Sequence, residues 1–254
     1  MSDIIYTNSS KRLPIVFCLD ISPSMDSKDG SEYSRIQLLN IAIKAFLKEI
    51  KNDLKVRTSA EIALVAFSTN IELDTPFESV STIDMPYFTT VEKGGTRMAN
   101  AILRSIEKIE SKKKDYENAE ISYYVPFFVL VTDGNPNKND DAYQLEQAIA
   151  KVQKCCDSHI GASEIIIPFI IGVGDNVEVS TLNRLAEQFT GTAIIIDSSA
   201  GEQDLLFEQV FKFIGKSITG SIHLNDTPMN IINPIKENVT ELTKKIEENR
   251  RYQQ

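Results

Sequence analysis

The chain has 254 residues, 42% hydrophobic and 25% charged with no tryptophan, the profile of a globular protein long enough to bury a real core. Its 27 Lys and Arg stand against 36 Asp and Glu, a net charge of −9, so no basic field exists to displace counterions from nucleic-acid phosphates. The polar stretch Met1–Arg12 has no hydrophobic signal core, and no apolar run approaches the roughly 18 residues of a membrane span, so a cytoplasmic protein without a membrane contact is expected.

In chain order, Ile15–Leu19 is an unbroken apolar run, as in a strand buried on both faces. Ile36, Leu39, Ile43, Phe46, Leu47 and Ile50 recur at three- and four-residue spacing and predict an amphipathic helix over about 34–52. Glu61–Ser68 is strand-like, and Ile71–Met85 is short, polar and turn-rich, with room for one strand. Met98, Ile102, Ile106 and Ile109 carry a helix that runs into the charged connector Lys112–Glu120. Phe127–Val131 is a further buried strand, followed by a helix marked by Leu145, Ile149 and Val152. Ile165–Val173 and Ala193–Ile196 read as strands, and Val179–Phe189 and Leu205–Ile214 as helices. Strands alternating with helices of this length specify crossover units, hence an α/β fold with a doubly wound, mainly parallel central sheet flanked by helices. The body is read as one domain over about 10–216, followed by an extension over 217–254.

In that extension Ser217–Pro234 holds Gly220, Asn225, Pro228, Asn230 and Asn233 and reads as turns and short strands. Ile235, Val239, Leu242 and Ile246 then form a narrow stripe on a charged helix over about 235–251. Two heptads are too few to choose between docking on the body and contacting a partner, so the oligomeric state stays open. Cys18, Cys155 and Cys156 are an odd count without metal-ligand spacing and read as buried or helix-face thiols.

Three separated stretches end in small oxygen-bearing side chains: Asp20-Ile21-Ser22-Pro23-Ser24, Gly94-Gly95-Thr96 and Thr132-Asp133-Gly134. In an open α/β sheet, ligands collect outside the carboxyl ends of strands where the strand order reverses. Asp20 closes the first strand and Asp133 the fourth, while Gly94-Gly95 allows close approach and Thr96 stands at an expected helix N-cap. Two carboxylates and three hydroxyls make a hard-oxygen set suited to Mg²⁺, with Mn²⁺ or Ca²⁺ not distinguished. Neutral hydroxyls from Ser22, Ser24 and Thr96 would leave such an ion electrophilic, with Asp20 and Asp133 acting through waters or hydrogen bonds. Its open position would then suit a Glu or Asp carboxylate of a protein partner. Asp26, Asp29, Gly95, Asn135 and Asn137 lie in the loops expected at the rim of this crevice.

These motifs resemble the metal-ion-dependent adhesion site (MIDAS) of the von Willebrand factor A (VWA) family: D-x-S-x-S, a later Thr, and an Asp in a T/S-D-G turn. The resemblance covers about 10–216 and implies a VWA, Rossmann-like fold working as a metal-dependent interaction module. Arg12-Leu13-Pro14, Gly94-Gly95-Thr96 and Val131-Thr132-Asp133-Gly134 are most similar to bacterial cytosolic tellurium-resistance and YegL-like members. That subgroup implies a scaffold in stress-response assemblies, in company with kinases and phosphatases. Pro23 departs from the Gly common between the two serines and stiffens the loop.

Two other functions compete. A Mg²⁺-dependent phosphatase-like hydrolase would use Asp20 as nucleophile, but its D-x-D motif needs a second carboxylate where this chain has Ser22, and neither His159 nor His223 falls in a motif. The chain is therefore read as a non-enzyme. The third reading is a scaffold that acts only through its C-terminal helix.

Overall fold

A computed structural model describes residues 11–134, 142–156, 165–197, 203–224 and 228–253. Seven strands form one sheet: β1 (Leu13–Asp20), β2 (Ala60–Phe67), β3 (Ile71–Asp74), β4 (Glu78–Ser79), β5 (Phe127–Thr132), β6 (Ile167–Val173) and β7 (Ile194–Ile196). The order is β3-β2-β1-β5-β6-β7, with β4 beside β2. β2, β1, β5, β6 and β7 run parallel, and only the short β3 and β4 pair antiparallel. The turn-rich segment after β2 thus supplies two strands instead of one, and Asp133 follows the fifth strand, not the fourth.

The helices are α1 (Arg35–Asn52), α2 (Leu54–Ser59), α3 (Met98–Asn118), α4 (Ala142–Cys155), α5 (Val179–Ala186), α6 (Gln203–Leu224) and α7 (Pro228–Gln253). They cover both faces of the sheet, which is why β1, β5 and β6 are buried along their whole length and apolar at nearly every position. On one face Ile15, Phe17 and Leu19 meet α1 and α6. On the other, Val16 and Cys18 belong to a core cluster shared with α3, α4 and α5. Cys155 is buried and Cys156 half-buried at the end of α4.

The extension departs from its expected form. Ser217 lies within α6, which continues to Leu224, and the division at 216 falls inside that helix. α7 begins at Pro228 and carries Pro234 inside it. Its stripe packs inward: Ile235, Val239 and Ile246 are buried in the core with Leu242 against them, so the helix docks on the body of its own chain.

From β1 the chain moves to β2 and β3 on one side; α3 then crosses to β5 on the other. The strand order therefore reverses between β1 and β5, and their carboxyl ends are where a fold of this kind forms its crevice.

Candidate functional site

Asp20 ends β1 and is fully buried. Its Oδ1 accepts the backbone N–H of Ser22 (2.9 Å), and its Oδ2 accepts the hydroxyl of Thr132 (2.6 Å), the last residue of β5. The two strand ends are thereby fastened together. Burial, with the Asp133 carboxylate adding repulsion, pushes the Asp20 carboxyl up to about 6 against the hydrogen bonds it accepts. Pro23 opens a single 3-10 turn over Pro23–Asp26, a position where its fixed φ and missing N–H are tolerated. That turn sets the Ser22 and Ser24 hydroxyls 3.0 Å apart, Ser22 buried and Ser24 exposed.

The third stretch arrives through backbone contacts. Val91 N–H donates to Ile21 O (3.0 Å) and Arg97 N–H to Ser68 O (2.7 Å), which ties the loop before α3 to the ends of β1 and β2. Thr96 is buried beside that edge, and the cap of α3 is Arg97, one residue later than expected. The close approach at Gly94 is real: a Cβ there would lie 3.0 Å from the Thr69 hydroxyl oxygen and 3.3 Å from that of Ser68.

Asp133 is buried just beyond β5. Its Oδ2 accepts from Arg35 Nη1 at 3.1 Å, while its Oδ1 is buried and has no hydrogen-bond partner among the described residues. Arg35, the first residue of α1, belongs to this site although the motifs did not indicate it. Its Nε and Nη2 also grip Asp29 at 2.5 and 2.7 Å, and Nη1 reaches Ser24 O at 3.3 Å. Burial would raise the Asp29 carboxyl, but the Arg35 guanidinium outweighs it and holds the group below its usual range. A Cβ on Gly174, after β6, would lie 2.2 Å from Arg35 Cζ, so the guanidinium lies on a position that only glycine leaves open. Arg35 therefore joins loops following β1, β5 and β6.

Of the expected rim, Asp26 is exposed, Asp29 is held by Arg35, and the Gly95 N–H donates to the Thr69 hydroxyl at 2.6 Å. Asn135, Asn137 and His159 lie outside the described residues. In place of the second carboxylate of a D-x-D motif, Ser22 presents a hydroxyl to Ser24, which supplies no acid or base for phosphatase-like chemistry near neutral pH.

The oxygens of Asp20, Ser22, Ser24, Thr96 and Asp133 are the ones that could face a hard cation. The metal-dependent mechanism expected from them is nevertheless not supported. Among the described residues no group of three or more His, Cys, Asp or Glu is placed to hold a metal, and the positive charge at Asp133 is already that of Arg35.

A model of the von Willebrand factor type A domain family matches residues 15–209. Among solved structures the chain is similar to the PilB minor pilin from Streptococcus sanguinis, with 16% identity, a TM-score of 0.55, and coverage of 86% of this chain and 64% of that one. It is also similar to the vWF domain of the type V pili tip protein Mfa5 from Porphyromonas gingivalis, with 11% identity, a TM-score of 0.53, and coverage of 84% and 97%. The chain thus spans a little under two thirds of the PilB chain. At these identities the likeness establishes the fold. No curated protein matches. These matches also overturn two expectations: both structures are of pilus proteins, which gives the cytoplasmic location no support, and neither is a tellurium-resistance or stress-response protein by its description.

Proposed function

Because this chain belongs to the von Willebrand factor type A domain family, we propose that it is a protein-interaction module whose contact surface is the crevice between the ends of β1 and β5. One observation carries the reading: Asp133 Oδ1 is buried at the crevice with no hydrogen-bond partner among the described residues. A buried carboxyl oxygen left so is costly, and a hydrogen-bond donor brought from outside offsets that cost. The exposed Ser24 hydroxyl, 3.0 Å from Ser22 Oγ, offers a polar contact beside it.

The reading through the C-terminal helix alone is less favoured, since the apolar stripe of α7 is occupied by the body. Two finer points accompany the proposal without carrying it. Asp20, Ser22, Ser24, Thr96 and Asp133 are proposed as the oxygens that any Mg²⁺, Mn²⁺ or Ca²⁺ would meet, and a Glu or Asp of the partner as the group such an ion would take. Calorimetric titration of wild type and Asp20→Ala with MgCl₂ tests the first, heat in wild type alone supporting it, and repeating the titration with a Glu-containing peptide present tests the second.

The interaction itself is tested by immobilising the full chain in native extract beside a Ser24→Arg variant. Ser24 is exposed, thermal unfolding checks the fold of the variant, and loss of proteins captured by wild type is the expected result. Identical capture by the two chains would refute the crevice as the contact surface.

A further inference from the structure

A second surface lies along the outer side of α1, where a groove of about 520 Å³ runs between that helix and the segment Ile83–Tyr87. Its floor is Ile43 and Leu47. Three large apolar side chains stand open around it: Tyr87 is 69% exposed, Ile41 42% and Tyr33 38%. Aromatic residues grouped at a concave surface are the usual anchors of protein interfaces.

The groove is preformed. Asn40 fixes its far wall through a reciprocal pair, Nδ2 donating to Phe88 O and Oδ1 accepting from Phe88 N–H, both at 2.8 Å. Lys51 Nζ donates to Ile83 O at 3.0 Å and closes the lower end. Walls held in this way cost a binding partner little ordering entropy.

Charge selects the occupant. Lys44 and Lys51 line the groove against Asp84, and Lys48 is exposed between them on the same side of α1, at spacings of four and three residues. Among the described residues, none of these three lysines enters an ion pair. Uncompensated cations on a chain of net charge −9 are a local reversal of the molecule's own field. We propose that this groove docks a short acidic segment of a partner protein, with an aromatic or aliphatic side chain seated between Tyr33, Ile41 and Tyr87 and its carboxylates on Lys44, Lys48 and Lys51. The site lies outside the β1–β5 crevice and does not depend on the function proposed for it.

The test is selection of a random dodecapeptide library displayed on phage against the full chain, with recovered peptides measured by fluorescence anisotropy. Binding is compared for wild type, the double variant Ile41→Asp/Lys44→Glu, and Asp20→Ala. Both groove substitutions are at exposed positions, and thermal unfolding confirms the fold of each variant. Expected are acidic peptides with an apolar anchor that bind more weakly as salt rises, lose at least tenfold in affinity on the double variant, and are unaffected by Asp20→Ala. No enrichment, enrichment of neutral or basic peptides, or equal binding to the double variant would overturn the proposal. So would self-association of the chain abolished by the double variant, which would assign the groove to a second copy.

Discussion

Arg35 is the residue on which the crevice turns. A cation at the first position of a helix sits at the positive end of the helix dipole, at a cost of about 0.3–1 kcal/mol, and is retained here because Asp29 and Asp133 surround it. Replacing it by Gln leaves the buried Asp133 and the half-buried Asp29 uncompensated. Arg35→Gln is expected to lower unfolding free energy by about 3 kcal/mol, read by chemical denaturation at neutral pH. Part of that difference vanishes in acid, since a carboxylate held below its usual range contributes stability above its unfolded pKa and loses it as pH falls through the folded value. Asp20 has the opposite sign. With a folded value near 6 against an ordinary 3.8, it binds its proton more readily in the native state, so stability falls as pH rises from about 4 to 6. Asp20→Asn keeps an acceptor for Ser22 N–H and removes the charge. It is expected to flatten that pH dependence and to gain about 2–3 kcal/mol at pH 7, measured by unfolding curves at several pH values. Asp20 and Asp133 were legible because each directly follows an apolar strand. Arg35 meets Asp133 across 98 positions of sequence, so no local pattern reveals it; its one signal was a cation at the wrong end of a helix.

At the scale of elements, the least expected feature is the length of α6. Ser217, Thr219, Gly220 and Ser221 all disfavour a helix interior, yet the helix runs through them. The hydroxyls of Ser217 and Thr219 return to the carbonyls of Phe213 and Gly215 at 3.0 Å, and Ser221 to that of Ile218 at 2.7 Å. Ile218 and Ile222 are fully buried, and this tertiary burial outweighs local propensity. The strands and longer amphipathic helices were legible because their period-2, unbroken apolar or 3.6-residue patterns are set by burial. The division of the segment after β2 into β3 and β4 was not, because strands of four and two residues are too short to carry a periodic pattern. The docking of α7 was left open by its narrow stripe, which fits a partner chain as well as the body. Its contribution is measurable: Ile246→Ala is expected to cost about 2 kcal/mol, the low end for a buried isoleucine, and to increase amide exchange along α7.

At the scale of the molecule, a sheet covered on both faces holds three polar loops at the carboxyl ends of its parallel strands. The α/β class follows from strand order, which also sets Asp20 and Asp133 at neighbouring strand ends. The metal-dependent mechanism did not follow, because spacing alone says nothing of the guanidinium that already meets Asp133. The cytoplasmic location rested on composition and the polar start of the chain, neither of which fixes where a VWA domain works. The proposed contact surface is tested most directly by amide hydrogen exchange of the chain alone and bound to a captured partner. Protection at 21–34, 91–97 and 133–134 is the predicted result. Protection confined to α7, or to any face away from these loops, would contradict it.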